Sequence, residues 1–302
     1  MVNASWTRRH FLGTAATAAA AAGIFGSAAR AAPVPSAEAA KGAGNPRLSA
    51  CIEALFTGKP FEERLDAVKA AGLGAYEFWG WRGKNLDALA KKGKELGLEA
   101  ACFSCDTGGA LVSRGSKERF LPALRDSIAA AKKLGTGRLI ATVGNEVKDV
   151  PRAEQHKSIV EAVKAGAPLL EDAGMTLVLE PLNVLVNHRG YYLATSQEGF
   201  QIVDEVGSPN VKLLFDIYHQ QITEGNLIAN ITASISKIGH FHVADVPGRG
   251  EPGTGEINYL NVFKAIVKAG YTGFLGLEMW PRGNHDAATK EVMKIFDQAL
   301  AG

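Results

Sequence analysis

Four polar side chains stand at the ends of short apolar segments whose aliphatic and β-branched residues are typical of buried strands. Glu180, Asp216 and Glu278 each follow such a segment directly, and His242 lies near the end of another. The intervals between the four residues are 36, 26 and 36 positions, each long enough for a strand, a helix and two loops. Because a buried charge is costly unless it has a partner, this spacing predicts that the four side chains meet in one metal-centred active site.

Three carboxylates and one imidazole form an oxygen-rich donor set, which favours one divalent ion such as Mn²⁺ or Mg²⁺ and admits Co²⁺ or Zn²⁺. Taken singly, each residue also has an ordinary structural interpretation, such as a helix cap at Asp216 or a hydrogen-bonded core histidine at His242. Four independent polar burials at successive strand ends would destabilise a fold, so the joint metal site is favoured. His219, His240 and Arg249 are candidates to surround the ligands.

The segments that carry these residues alternate regularly between strand-like and helix-like patterns. Apolar runs of strand length and helices with apolar positions at helical spacing form eight strand–helix units over residues 47–302. Eight such units in strict alternation predict a single α/β domain, a (β/α)₈ TIM barrel, rather than an open doubly wound sheet. The carboxyl ends of barrel strands all open on one face, which would bring four distant residues together.

The composition of the loops bears on cofactors and on substrate binding. No Gly-x-Gly-x-x-Gly pattern follows a strand, so a dinucleotide cofactor is not expected. The segment Val246 to Gly250 is rich in glycine but lacks the Lys-Ser/Thr pair of a phosphate-binding loop. The long polar and aromatic segment Leu182 to Leu193 is expected to be a lid or a binding loop.

The first 31 residues have the pattern of a twin-arginine export signal. Arg8 and Arg9 precede a weakly apolar run rich in alanine and glycine, and Ala29 to Ala31 fits a small-x-small cleavage site. The run is too short and too rich in alanine to favour a transmembrane anchor. Residues 32–46 are expected to be a flexible linker, and residues 47–302 the barrel that is exported to the periplasm or another extracytoplasmic site.

Charge and cysteine content argue against several other classes of protein. Removing the leader takes away three arginines and no acidic residue, so the formal net charge falls from +2 to −1. A domain so nearly neutral offers no electrostatic footprint for nucleic acid, and none of its apolar runs reaches the roughly 18 residues of a membrane span. Cys51, Cys102 and Cys105 are expected to be buried thiols rather than a disulfide framework or a zinc site. The expected partner is therefore a small-molecule substrate, a hydroxy-keto acid or a sugar. Whether the protein forms a homo-oligomer is left open.

Several motifs of the chain resemble the xylose-isomerase-like barrels and, among them, the hydroxypyruvate isomerases. The similarity spans essentially residues 48–281 and is carried by the segments Glu180–Asn183, Gly190–Leu193, Phe215–His219, Gly239–Arg249, Glu251–Tyr259 and Gly276–Glu278. The resemblance implies that Glu180 and Glu278 are the acid/base pair of an isomerase that interconverts hydroxypyruvate and tartronate semialdehyde. It further implies, from the related ketose epimerases, metal ligands at Glu180, Asp216, His242 and Glu278 and substrate contacts from His219 and Arg249.

The export signal keeps other functions open, because hydroxypyruvate is an intracellular metabolite. A ketose 3-epimerase, or another metal-dependent barrel that processes sugars outside the cytoplasm, is the second hypothesis. A barrel that only binds sugars is a third, and it predicts binding without turnover. The same superfamily includes abasic-site endonucleases, which use extra histidine ligands on early strands. Here no histidine lies between His10 and His156, which argues against that activity.

Overall fold

The short apolar segments of the sequence form eight parallel strands in the computed structural model, which describes residues 44–302. The strands are β1 (Arg47–Cys51), β2 (Ala75–Phe78), β3 (Glu99–Ser104), β4 (Arg138–Ala141), β5 (Thr176–Leu179), β6 (Val211–Asp216), β7 (Ile238–Val243) and β8 (Phe274–Leu277). Each strand pairs with the next along the chain, and β8 pairs with β1, which closes the barrel. The predicted (β/α)₈ architecture is confirmed.

Helices follow the strands and cover the outside of the barrel. They are α1 (Arg64–Ala70), α2 (Leu86–Leu96), α3 (Ser116–Leu134), α4 (Arg152–Ala173), α5 (Ser196–Val206), α6 (Ile217–Thr223), α7 (Leu227–Ser234), α8 (Tyr259–Lys268) and α9 (His285–Leu300). The short helix α6 was not predicted from the sequence. It begins directly after Asp216, whose Oδ1 accepts a 3.1 Å hydrogen bond from the backbone N–H of His219, so Asp216 caps a helix.

Local sequence signals explain where several helices begin and end. Asn85 accepts a hydrogen bond from the backbone N–H of Ala88 at the start of α2, and Gly97 closes that helix at a positive φ of 64°. Thr195 caps α5 in the same way. Caps of this kind satisfy backbone groups that the helix leaves unpaired, and they hold the loops that connect to the strand ends.

The interior of the barrel has a polar wall and an apolar wall. On β4, β5 and β6 the interior is filled by Ile140, Val178 and Leu214, which pack together with Cys102 of β3. The side formed by β1, β2 and β7 instead carries Ser49, Glu77 and His240, all buried. Buried polar groups require hydrogen-bond partners, and Glu77 of this wall reaches one of the predicted ligands, since its Oε1 atom lies 2.9 Å from Nε2 of His242.

The described part of the chain lies within one contact unit, Gly42–Gly302. Within residues 44–302, no helix combines the length and apolar character needed to cross a bilayer. The predicted signal over residues 1–31, and most of the predicted linker over residues 32–46, lie outside the described residues. Those two predictions therefore stay predictions.

Candidate active site

The four predicted ligands come together at the carboxyl end of the barrel. Glu180 follows β5, Asp216 ends β6, His242 is the penultimate residue of β7, and Glu278 follows β8. Each offers one nitrogen or oxygen atom, these atoms all lie within 4.8 Å of one another, and all four residues are buried. The barrel thus joins residues up to 98 positions apart into one cluster.

The imidazole of His242 lies at the centre of the cluster. Its Nδ1 atom is 2.9 Å from Oε2 of Glu278 and 3.2 Å from Oε1 of Glu180, and it is 3.9 Å from Oδ2 of Asp216. The register places His242 beside Asp216 on β6 and beside Gly276 on β8. The glutamate carboxylates therefore approach the same ring nitrogen from β5 and β8, the two strands that flank the pair β6–β7.

Arg249 is a permanent cation that contacts the cluster. Its Nη2 atom lies 2.8 Å from Oδ2 of Asp216 and also contacts Oε2 of Glu278. The residue has a positive φ of 58° and follows a cis Val246–Pro247 bond in the loop after β7. The rings of Tyr218 and Trp280 flank its guanidinium at 5.1 Å and 5.3 Å. The glycine-rich loop thus presents a cation to the carboxylates.

His219 directs a second N–H group to the same place. The backbone N–H of Asn183 donates to its Nδ1 atom over 3.3 Å, so Nδ1 accepts and the neutral ring carries its proton on Nε2. That Nε2 atom lies 3.0 Å from Nη1 of Arg249 and 3.5 Å from Oδ2 of Asp216. Burial lowers the pKa of His219 to about 4, so the ring is neutral at neutral pH. The His219 ring and the Arg249 guanidinium therefore lie side by side next to Asp216.

A cavity of about 610 Å³ opens beside this cluster. It is lined by Val186, Asn187, His188, Tyr218, Gly248, Arg249 and Trp280. The predicted binding loop contributes one wall, and Tyr191 anchors that loop because its hydroxyl donates to the backbone oxygen of Glu180 over 3.0 Å. Leu185 and Val186 at the tip of the loop are 64% and 62% exposed. The cavity is large enough for a small organic substrate.

Comparison with known proteins places this architecture in a family. Residues 65–299 match the model of the xylose isomerase-like TIM barrel. The hydroxypyruvate isomerase of Escherichia coli (strain K12) is 30% identical over 251 residues, which cover 81% of this chain and 97% of that protein. The chain belongs to the hydroxypyruvate isomerase family of xylose isomerase-like barrels. It is therefore an enzyme of the isomerase class, as the sequence motifs predicted.

Two further proteins show how far this similarity extends. A 2-oxo-tetronate isomerase of Cupriavidus necator is 30% identical over 249 residues, covering 80% of this chain and 95% of that protein. A crystal structure described as an AP endonuclease, family 2, from Brucella melitensis has a TM-score of 0.79 and 28% identity, covering 82% of this chain and 98% of that one. Proteins of different names therefore share this isomerase family's barrel.

The environment separates the pKa values of the two glutamates. Burial raises the pKa of Glu180, and the nearby charges of Glu278 and Asp216 raise it further, although a hydrogen bond from His242 opposes them. Burial also acts to raise the pKa of Glu278, but the positive charges of Arg249 and His242 outweigh it and hold that pKa well below its usual range. The two carboxylates of this isomerase site are thus electrostatically distinct.

Two residues of the site were missed by sequence reasoning. Trp79, just after β2, donates a 2.6 Å hydrogen bond from Nε1 to Oε1 of Glu278. Glu77, inside β2, is 1% exposed and lies 2.9 Å from Nε2 of His242. The available signal was a glutamate in the middle of a strand whose other residues are apolar or aromatic, Ala75, Tyr76 and Phe78, because such a charge is rarely buried without a partner.

The donor set of this family member fits a divalent cation. Glu77, Glu180, Asp216 and Glu278 supply four buried carboxylates, and the Arg249 guanidinium contacts two of them, Asp216 and Glu278. Carboxylate oxygens with one imidazole nitrogen suit Mn²⁺ or Mg²⁺, and also Co²⁺ or Zn²⁺. The excess of negative charge raises the pKa of His242 well above its ordinary value, even though burial opposes this. A bound divalent cation would offset the same excess, so the residues present fit the ion.

Proposed function

We propose that this protein interconverts hydroxypyruvate and tartronate semialdehyde by moving a proton between neighbouring carbons. The observation that carries the proposal is the placement of Glu180 and Glu278, whose carboxylates contact Nδ1 of one central imidazole in a buried site. Two such carboxylates can face both carbons of a small substrate. The hydroxypyruvate isomerase name of the Escherichia coli relative supports the same reaction.

The residues of the site have complementary roles in the proposed reaction. One glutamate removes a proton from the carbon beside the carbonyl, and an acid/base group returns a proton to the neighbouring carbon. Arg249, which lines the cavity, and His219, whose Nε2 atom lies 3.0 Å from Nη1 of Arg249, are the proposed contacts for a carbonyl or carboxylate oxygen of the substrate. Trp79 holds the carboxylate of Glu278 by its 2.6 Å hydrogen bond, so the oxygen that exchanges the proton has a defined direction.

The proposed cofactor is one divalent ion held by Glu180, Asp216, His242 and Glu278. When bound, the ion supplies positive charge that stabilises the enediolate formed during proton transfer. Mn²⁺ or Mg²⁺ suits the oxygen-rich donor set, with Co²⁺ and Zn²⁺ as alternatives. Asp216 has a defined orientation for this role because its Oδ1 caps α6 while its Oδ2 faces the cluster.

The chain's own sequence favours a second candidate substrate class. The twin-arginine pattern at Arg8 and Arg9 suggests a reaction outside the cytoplasm, where sugars and larger keto acids are encountered. The similarity to a 2-oxo-tetronate isomerase supports a larger keto acid as the substrate. A ketose 3-epimerase would use the same two glutamates. The epimerase receives weaker support, because the reported relatives at 30% identity are named isomerases. An endonuclease activity is not proposed, since the chain lacks histidines on its early strands.

A substrate panel tests the proposal. Purified residues 47–302, loaded with Mn²⁺, are assayed with hydroxypyruvate, 2-oxo-tetronate and six-carbon ketoses in deuterated water, and the products are followed by NMR. We expect tartronate semialdehyde from hydroxypyruvate, with deuterium on the carbon that receives the proton where the site exchanges with solvent. Turnover of ketoses without turnover of hydroxypyruvate would replace the substrate but keep the mechanism. Binding without turnover of any of them would support a sugar-binding barrel instead.

A further inference from the structure

Glu77 is a buried carboxylate whose neighbours are two imidazoles and a hydroxyl. Its Oε2 atom accepts a 2.6 Å hydrogen bond from Oγ of Ser49 and lies 3.1 Å from Nε2 of His240. Its Oε1 atom lies 2.9 Å from Nε2 of His242. Glu77 is therefore a buried acceptor that lies against both imidazoles, beneath the cluster.

Gly276 on β8 leaves room for the carboxylate of Glu77 because it has no side chain. A Cβ atom added to Gly276 would overlap both carboxylate oxygens of Glu77. Gly276 is the strand neighbour of His242 and precedes Glu278 by two residues. Since it is not among the glycines with positive φ, the need at this position is for room rather than for backbone freedom. Glycine in the interior of a strand normally lowers stability. Here it allows the buried carboxylate of Glu77 to fit against β8.

The two ring nitrogens of His242 face different partners. Nδ1 faces the carboxylates of Glu180 and Glu278, whereas Nε2 faces Glu77. Within residues 44–302, neither Nε2 of His242 nor Oε1 of Glu77 makes an aligned hydrogen bond to any group, although the two atoms lie 2.9 Å apart. An imidazole binds a cation through one nitrogen only if the proton is on the other. A carboxylate beside Nε2 favours the tautomer that carries its proton there, which is the one whose Nδ1 lone pair can bind a cation.

We propose that Glu77 is a positioning residue that holds His242 with Nδ1 directed at the three carboxylates and thereby sets the divalent-cation affinity of the site. This inference rests on the proposed cation site and is independent of which keto acid is the substrate. Partners of metal-bound histidines typically change metal affinity by 10- to 100-fold when they are removed. Ser49 and Gly276 act in turn on Glu77, the first through a hydrogen bond and the second by leaving space.

The test measures cation binding directly. Metal-free wild-type protein and the variants Glu77→Gln and Ser49→Ala are titrated with Mn²⁺ by calorimetry, and Co²⁺ complexes are compared by visible absorption. Glu77→Gln keeps the shape but removes the charge, and we expect its Mn²⁺ affinity to fall roughly 10- to 100-fold with an altered Co²⁺ spectrum. Ser49→Ala should shift both readouts less, in the same direction. Glu99→Gln, an exposed glutamate paired with Arg47, is the matched control and should bind like wild type.

The outcomes separate this inference from the proposed function. If wild type binds Mn²⁺ and Glu77→Gln binds it equally with the same Co²⁺ spectrum, the positioning role is wrong while the cation site stands. If wild type binds no divalent cation, the proposed cation site fails, and this inference fails with it. Thermal unfolding of the metal-free proteins identifies a variant that does not fold. Should that be Glu77→Gln, Ser49→Ala decides, and an unchanged Mn²⁺ affinity there would overturn the proposal.

Discussion

Nε1 of Trp79 donates a 2.6 Å hydrogen bond to Oε1 of Glu278, across 199 residues of sequence. Trp79 follows β2 and Glu278 follows β8, so both of the strands that flank β1 contribute to the position of one carboxylate. The other oxygen of that carboxylate contacts Arg249 and His242. Both oxygens of Glu278 are therefore held before any substrate arrives, which is the preorganisation that proton transfer requires.

Replacing Trp79 by phenylalanine should reduce catalysis without unfolding the barrel. A hydrogen bond to a charged group contributes about 1.5–3 kcal/mol, and Trp79 is 39% exposed, so the lower end of that range applies. We expect kcat/KM to fall by roughly tenfold, the rate equivalent of about 1.4 kcal/mol. Trp81→Phe is the control, because the Trp81 indole donates to Ser127 instead. An equal loss in both variants, or none in Trp79→Phe, would contradict the role of the Trp79 bond.

Replacing either glutamate of the proposed acid/base pair should nearly abolish turnover. General acid–base participation contributes roughly 10²- to 10⁴-fold, so Glu180→Gln and Glu278→Gln should each lower kcat by at least that amount. The loss can exceed the range because both residues are also proposed metal ligands, so metal content is measured on the same samples. Glu118→Gln, whose side chain is 67% exposed, should be unaffected. Full activity in both site variants would reject the mechanism for any substrate.

Removing divalent ions should destabilise the wild-type protein. A ligand that binds only the folded state stabilises it by about 2.7 kcal/mol at a free concentration a hundred times its dissociation constant. A chelator should therefore lower the melting temperature, and Mn²⁺ should restore it. Asp216→Asn removes one carboxylate charge from the donor set and should respond much less to either treatment. Identical melting curves of wild type with chelator and with Mn²⁺ would argue against the cation site.

The three cysteines should resist alkylation while the protein is folded. Burial raises the pKa of Cys105 to about 12 and raises the pKa values of Cys51 and Cys102 well above the ordinary range. The reactive species is the thiolate, so labelling at pH 8 should be slow and should accelerate as the pH rises towards these values. Intact-mass analysis after iodoacetamide treatment should show three labels in urea and almost none in native protein. Cys105, which is less fully buried by accessible surface, should react first. Rapid labelling of all three native thiols would contradict burial.

The export proposal concerns residues outside the described part of the chain. Twin-arginine transport would suit a barrel that folds and binds its metal before it crosses the membrane. Changing Arg8 and Arg9 to lysine should leave uncleaved precursor in the cytoplasm, whereas wild type should be cleaved near Ala31. Cell fractionation and N-terminal sequencing of both proteins make the comparison. Normal export of the double variant would remove the assignment.

The match between sequence and structure is closest where the pattern is local. Apolar runs followed by Glu180, Asp216 and Glu278 predicted strand ends, because a buried strand cannot continue through an unpartnered charge. The segment Leu48 to Leu55 predicts a longer first strand than the structure has, since β1 ends at Cys51, and a 3₁₀ turn over Phe61–Glu63 precedes α1. Such shifts are expected because element boundaries are weakly encoded. Thr195 followed by Glu198 predicts a capping box. Only half of it forms: the Thr195 side chain accepts from the backbone N–H of Glu198, but the Glu198 carboxylate bonds Arg152.

The amino-acid sequence by itself determined the eight-unit alternation, the four residues at the strand ends and the family. These follow from periodicity and from motifs that are continuous in the chain. Only the tertiary structure decided that Glu77 lies beneath His242, that Trp79 bonds Glu278, and that Asp216 both caps α6 and faces the cluster. The physical reason is barrel closure, which makes β8 a neighbour of β1 and turns inward-facing residues towards one another across the interior. These contacts join residues far apart in the chain, so no local sequence pattern predicts them.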